Sequence, residues 1–276
     1  MKHAAVIGWP IEHSRSPLIH GYWLEKYNIE GTYKKLAVAP DRLSEFLAAL
    51  EVNGLEGCNV TVPHKEAAFA VAGIKDASAV AVGAANTIWR EGTRIACANT
   101  DTYGFMRHLE LSAPSWSRHA GPISILGAGG AARAIIFGFL QAGASDILVF
   151  NRSRKRAEVL ARHFGSKVKV FDWEQRTAAS RNAGVIVNTT SLGLNGQGSP
   201  EIDFRGVQPD CVVADIVYVP LETAFLKAAR ANGLVTVDGL GMLLHQAVPG
   251  FEKWFGRRPE VTAELRAKIV ADIEAA

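Results

Sequence analysis

With 276 residues, 48% of them hydrophobic and 21% charged, the chain has enough apolar material for one large domain or two moderate ones and too much for global disorder. Lys and Arg number 30 against 27 Asp and Glu, a net charge of +3, too small and too evenly spread to announce a nucleic-acid or membrane partner and compatible with anionic small molecules. Cys58, Cys97 and Cys211 form no CxxC or Cys/His cluster, the opening run turns polar after Ile7, and no stretch reaches about 18 apolar residues, which argues for a reducing, cytoplasmic compartment and against a disulfide framework, a signal peptide or a membrane span.

AAVIG at 4–8 reads as a short strand stopped by Gly8 and Pro10, and the polar loop WPIEHSRSP then leads into a helical pattern. Leu43, Phe46, Leu47 and Leu50 give 41–50 an amphipathic helical spacing opened by Pro40 or Asp41. GCNVTVPHK at 57–65 predicts a strand, a turn and a helix starting near Lys65, and AANTIWREGTRIACANTD at 84–101 predicts a hairpin turning at Glu91-Gly92. LSAPSWSRHAGP at 111–122 breaks the periodicity and predicts a loop before a new unit. ISILG at 123–127 then reads as a buried strand, GAGGAARAIIFGFLQAG as a glycine turn opening a helix, and DILVFNR as a second strand. VKVFD, GVIVNTT and CVVADIVY repeat the strand signal with room for helices between them, an alternation that implies a parallel sheet. Over 262–276, Leu265, Ile269, Val270 and Ile273 share one helical face, whose packing partner the periodicity leaves open. The expected architecture is α/β in two units, the first ending near Gly104 and the second spanning about 120–237.

Gly127-Ala128-Gly129-Gly130-Ala131-Ala132 matches G-x-G-x-x-A between a strand and a helix. Gly127 permits the tight turn, Gly129 lets backbone approach a pyrophosphate, and Ala132 allows close helix-to-strand packing. Where an NAD site places an acid for the ribose 2′-hydroxyl, this chain has Asn151-Arg152-Ser153-Arg154-Lys155-Arg156. Guanidinium forks suit a 2′-phosphate that a carboxylate would repel, so NADP is the expected cofactor, and Arg152 and Arg156, four apart, could share one side if a helix begins there.

Lys65 and Asp101 each follow a predicted strand and could meet at one sheet edge, where a lysine beside a carboxylate can hold a hydroxyl and pass a proton while hydride leaves the same carbon. A surface ion pair for Lys65 and a helix cap for Asp101 are the other readings of the same residues. Ser14 and Ser16 flank Arg15 and could face a carboxylated or hydroxylated ligand or cap a helix. Asn59, Thr61, Asn86 and Gln246 are short polar groups in apolar runs that need partners if buried. His13, His20, His64 and His245 have no metal-ligand spacing, and no metal site is expected.

Taken in order, GWPIEHSRSPLIH at 8–20, GCNVTVPHK at 57–65, GAANT at 83–87, NTDTYG at 99–104, GAGGAARA at 127–134, NRSRKRA at 151–157, NTTSLG at 188–193 and DGLGMLLHQA at 238–247 resemble the motifs of the shikimate dehydrogenase family over nearly the whole chain. The resemblance implies a substrate-binding and catalytic domain, 1–104 completed by 238–276, and a Rossmann-like NADP-binding domain, 105–237. The implied reaction is reversible NADPH-dependent reduction of 3-dehydroshikimate to shikimate, on the route to aromatic amino acids. It casts Lys65 and Asp101 as the catalytic pair, Ser14 and Ser16 as binders of the substrate carboxylate, Thr61, Asn86 and Gln246 as binders of ring hydroxyls, and Tyr218 as a neighbour of the substrate. For the cofactor it implies Gly127, Gly129, Gly130 and Ala131 at the glycine turn, Asn151, Arg152, Ser153 and Arg156 at the adenosine phosphate, and Gly239 and Met242 at the nicotinamide. Departures from the family pattern are Gly21 and Asp238, where Asn is common, and Ser153, where Thr is frequent. The expected partner is the small-molecule substrate alone, in a monomer or a homodimer. A related branch that oxidises quinate as well and often uses NAD is the alternative, and a nucleotide-binding module without turnover is the third reading.

Overall fold

AAVIG lies within a longer strand, β1 (Lys2–Gly8), buried from Ala4 onward. It is followed by α1 (Ser16–Lys26), β2 (Gly31–Ala37), α2 (Leu43–Ala48), β3 (Gly57–Val60), α3 (Lys65–Val71), β4 (Ile74–Lys75), α4 (Ala77–Val82), β5 (Thr87–Glu91) and β6 (Arg94–Ala98). The computed structural model describes residues 1–118 and 121–275. The sheet order is β2-β1-β3-β5-β6-β4, with only β5 antiparallel to its neighbours. The hairpin β5–β6 turns at Gly92-Thr93, one residue later than expected, because the left-handed φ of +63° falls on Gly92. Leu43, Leu47 and Leu50 pack with Ile7, Cys58, Val60 and Ile88 into this unit's core, so the 41–50 periodicity is real although a single turn of 3₁₀ helix occupies 40–42.

α5 (Asp101–Ser112) has no counterpart in the sequence patterning, and after it come β7 (Ile123–Leu126), α6 (Gly130–Gln141), β8 (Ile147–Phe150), α7 (Arg154–Phe164), β9 (Val168–Phe171), α8 (Arg176–Ala179), β10 (Val185–Asn188), β11 (Val212–Asp215), α9 (Ala224–Ala231), β12 (Val235–Val237), α10 (Gly239–Phe255) and α11 (Ala263–Glu274). β7 to β12 form an all-parallel sheet in the order β12-β11-β10-β7-β8-β9. Strands β7, β8, β10 and β11 are buried at every residue, as continuous apolar runs in a sheet covered on both faces must be. The order reverses between β7 and β10, the switch point outside whose carboxyl ends such sheets bind ligands.

The chain divides into one unit of 1–102 with 244–276 and a second of 103–243. The passages lie inside α5 at 102/103 and inside α10 at 243/244; the positions expected from the sequence, 104/105 and 237/238, fall two residues later and six earlier. In α5, Phe105 and Leu109 are buried in the second unit's core, and Met242 of α10 packs against that same core. Of the loop expected at 111–122, residues 111 and 112 end α5, Trp116 is buried in the same core, and His119 and Ala120 lie outside the described residues. The C-terminal segment belongs to the first unit: Leu265 and Ile269 of α11 are fully buried, and Thr262 caps the helix by accepting from Leu265 N at 3.2 Å.

His20 of α1 is fully buried, stacked on Tyr33 with ring centroids 4.0 Å apart, beside Trp23, Phe251 and Trp254. Neither ring nitrogen has a hydrogen-bond partner among the described residues. Burial therefore holds the imidazole neutral and pushes its pKa from 6.5 down to about 3. Because the folded value lies below the unfolded one, the stability is fully present above pH 6.5 and is lost as pH falls from there toward 3, by up to about 1.4 kcal/mol per unit of pH. Denaturant midpoints measured from pH 7 to pH 4 are expected to fall less steeply in His20→Phe, which keeps the stack and removes the titration; parallel curves for the two proteins would contradict the assignment.

Candidate active site

Two helix starts converge in the first unit. α3 opens on Lys65, whose carbonyl accepts from Ala85 N at 2.9 Å, and α5 opens on Asp101, whose amide donates to Asn99 Oδ1 at 3.2 Å. Asn99 is itself held by its Nδ2 on the Ala84 carbonyl at 3.1 Å and its amide on Ser78 Oγ at 2.9 Å. So placed, Lys65 Nζ donates to Asp101 Oδ2 at 2.8 Å, and Asn86 Nδ2 donates to Asp101 Oδ1 at 2.8 Å. The Asn86 amide can point only this way, because the Thr100 backbone N–H, a donor, meets Asn86 Oδ1 at 2.8 Å. Behind it, the Asn86 carbonyl accepts from Asn59 Nδ2 at 3.1 Å, and Asn59 Oδ1 accepts from Tyr33 Oη at 2.6 Å.

The Lys65 and Asp101 side chains are 32% and 17% exposed. Both aspartate oxygens are engaged within the protein, whereas the ammonium spends one N–H on Asp101 and keeps two further donors for a ligand. Such a group can hold a carbonyl or hydroxyl oxygen and move a proton to or from it. The structure thus brings Lys65, Asp101 and Asn86 into one network. Ser14 precedes α1 and Ser16 opens it, with Ser16 N donating to Ser14 Oγ at 3.3 Å. Thr61 follows β3, half-buried, with its methyl against Gly8, and Gln246 is buried in α10. Sequence reasoning flagged Asn59 as a polar residue needing a partner but assigned no part to Tyr33, Asn99 or Thr100; for Asn99 the only available signal was its position two before Asp101.

In the second unit the glycine turn joins β7 to α6. Gly127 has φ +115°, and a Cβ there would lie 2.6 Å from Thr189 Oγ1, whereas Cβ atoms at Gly129 and Gly130 would meet no atom within 4 Å. The turn is closed on its protein side and open on the other, as backbone N–H groups at a helix start must be to meet a diphosphate. Ala131 is half-buried in the first turn of α6 and Ala132 is fully buried against the sheet. Gly127→Ala combines a strained backbone with that clash, and should destabilise the protein by at least about 1–3 kcal/mol; calorimetry showing an unchanged melting profile would refute it.

After β8, Asn151 Nδ2 donates to the Ser153 carbonyl at 2.8 Å and Ser153 stands at the N-cap of α7. Arg154 is committed to Glu158 at 3.2 Å and Asp172 at 2.6 Å. Arg152 and Arg156 are exposed and form no ion pair among the described residues, so the cluster fits a phosphorylated ribose. Tyr218 stands half-buried after β11. Gly239 permits a close approach, since a Cβ there would lie 2.3 Å from the Ile216 carbonyl oxygen, and Asp238 caps α10 by accepting from Leu240 N at 2.9 Å. At the ends of β10 and β11, Asp215 accepts from Asn188 Nδ2 at 2.9 Å, Val217 N at 2.9 Å and Thr223 Oγ1 at 2.7 Å, a network that sequence reading missed. Burial raises the Asp215 pKa to about 6 against the opposing pull of these bonds.

A parallel sheet in Rossmann order with a glycine-rich first turn, joined to an α/β unit carrying a lysine–carboxylate pair, defines a two-domain dinucleotide-linked dehydrogenase. The model of the shikimate dehydrogenase substrate binding domain matches residues 6–88, that of shikimate / quinate 5-dehydrogenase 114–194, and that of the shikimate 5'-dehydrogenase C-terminal domain 239–263. Shikimate dehydrogenases (NADP(+)) of Brucella canis and Azorhizobium caulinodans are each 52% identical to the chain, over 99% of it and 95% of the former and 100% of it and 98% of the latter. Shikimate 5-dehydrogenase from Thermus thermophilus in complex with NADP(H) and shikimate superposes with a TM-score of 0.86 at 33% identity, covering 99% of this chain and 100% of that one. Quinate dehydrogenase from Corynebacterium glutamicum in complex with NAD gives a TM-score of 0.86 at 28% identity, covering 98% and 99%. The chain belongs to the shikimate dehydrogenase family. It is an enzyme, an oxidoreductase, and the reading as a nucleotide-binding module without turnover is set aside.

Proposed function

We propose that this enzyme reversibly reduces 3-dehydroshikimate to shikimate with NADPH. The observation that carries the reading is the Lys65–Asp101–Asn86 network, whose ammonium has donors left for a substrate oxygen. Arg152 and Arg156, placed where an NAD site has an acid, support the phosphorylated cofactor. Gly127, Gly129, Gly130, Ala131, Asn151, Arg152, Ser153, Arg156, Gly239 and Met242 would hold NADPH, which when bound supplies the hydride for the substrate carbonyl carbon. Lys65 donates to the carbonyl oxygen as negative charge develops on it, and with Asp101 delivers the proton that completes the alcohol. Asn86 keeps Asp101 in place by holding its second oxygen. Ser14 and Ser16 donate to the substrate carboxylate, Thr61, Asn86 and Gln246 meet the ring hydroxyls, and Tyr218 keeps the substrate-contact role that its motif position gives it. The three buried free cysteines support a reducing, cytoplasmic setting.

The likeness to the Corynebacterium quinate dehydrogenase with NAD supports a second reading, in which quinate or NAD is also used. Quinate adds a hydroxyl at the carboxyl-bearing carbon, which a small polar pocket can accept or reject by one hydrogen bond. Absorbance of the reduced nicotinamide, followed with shikimate and with quinate, each with NADP and with NAD, decides between them. Turnover confined to shikimate with NADP is the expected result; comparable rates with quinate or NAD would favour the second reading, and silence in all four would reject both.

A further inference from the structure

We propose that Asp272, on the last helix, is a positioning residue for substrate binding: its ion pair with Arg15 fixes the 14–16 turn that carries Ser14 and Ser16. The proposal rests on the reading of those serines as binders of the substrate carboxylate. Arg15 lies between them, and its Nε donates to Asp272 Oδ2 at 2.7 Å across 257 positions of sequence. The Arg15 side chain is only 16% exposed, so the guanidinium is packed rather than waving in solvent. Its carbonyl accepts from Leu18 N at 3.0 Å and Ile19 N at 3.4 Å, which opens α1; a displacement of Arg15 therefore moves the start of the helix and both serines with it.

α11 lies antiparallel to α1. At the far end of α1, Tyr22 Oη donates to Glu264 Oε2 at 2.8 Å and Trp23 Nε1 donates to the Glu260 carbonyl at 2.9 Å, while Leu265 and Ile269 bury the inner face of α11. That anchorage puts Asp272, near the other end of α11, against the start of α1. An acid there gains nothing from the helix dipole, which disfavours negative charge at that end, and the last turn carries no basic residue. A partly exposed ion pair also contributes little to global stability. What the pair does is local. It holds one turn geometry and occupies Arg15, so that recognition of a carboxylate is left to the serine hydroxyls.

The test is steady-state kinetics of Asp272→Ala, Arg15→Ala and the double variant, with shikimate and with its methyl ester, which lacks the carboxylate charge. The expected result is a rise in KM for shikimate of about 3–10-fold in each single variant, with a double variant no worse than either, since residues in one ion pair do not act additively. KM for NADP and kcat are expected to stay within about twofold, the ester to show no rise, and Asp272→Glu to recover the wild-type KM. Asp272→Asn, which keeps the side-chain volume, repeats the measurement should Asp272→Ala melt early. An unchanged or lowered KM for shikimate, or an equal rise for acid and ester, would overturn the positioning role alone. Wild-type protein with no turnover of shikimate would overturn the functional reading and this proposal with it.

Discussion

Lys65→Ala is expected to lower kcat for shikimate oxidation by about 10²-fold or more, with KM changed much less. The side chain supplies the only charged donor in the network: Asp101 is acceptor on both oxygens, and Asn86 gives one amide N–H to Asp101 while its Oδ1 accepts from Thr100 N. Removing the ammonium takes away a proton relay and a positive charge that matter most when the substrate oxygen carries developing charge, so the loss falls on the transition state rather than on binding. Asp101 keeps its Asn86 partner in this variant, and α3 keeps the Lys65 carbonyl bond from Ala85, which leaves the fold intact. Near-normal turnover in stopped or continuous assays would remove Lys65 from the chemistry.

Arg152→Ala combined with Arg156→Ala is expected to raise KM for NADP by about 10²-fold and to leave KM for NAD nearly unchanged, on the magnitude of charged hydrogen bonds. Neither arginine has an acidic partner among the described residues, so their charge has no structural use that the substitution would destroy. Arg154 provides the contrast. It is paired with Glu158 and Asp172, so Arg154→Ala should leave cofactor discrimination unchanged, and such exposed pairs contribute little to stability. Titrating each variant with both cofactors gives the ratio directly; an equal loss for NADP and NAD would point to damage of α7 rather than to a lost phosphate contact.

Much of the fold was legible locally. The apolar runs at 123–127, 147–150 and 185–188, the glycine turn at 127–132 and the hairpin around Gly92 were readable because backbone dihedral freedom and burial period are written in neighbouring residues. The absence of an acid after β8 needed nothing beyond the sequence either. α5 escaped because its start, Asn99-Thr100-Asp101, reads equally as the end of a hairpin, and because the first unit's chemistry and the second unit's core share one helix.

The decisive contacts join positions that no local pattern links. Lys65 meets Asp101 across 36 positions and Arg15 meets Asp272 across 257, and both depend on the strand order and on where a helix begins. His20 reads as an ordinary histidine until the fold closes Tyr33, Phe251 and Trp254 around it. The sequence by itself determined the class of the elements with a clear apolar period or turn, and the residue types available for hydride and proton chemistry. Only the tertiary structure decided which of them meet, because a hydrogen bond is set by separation in space, and chain topology, not residue type, sets that separation.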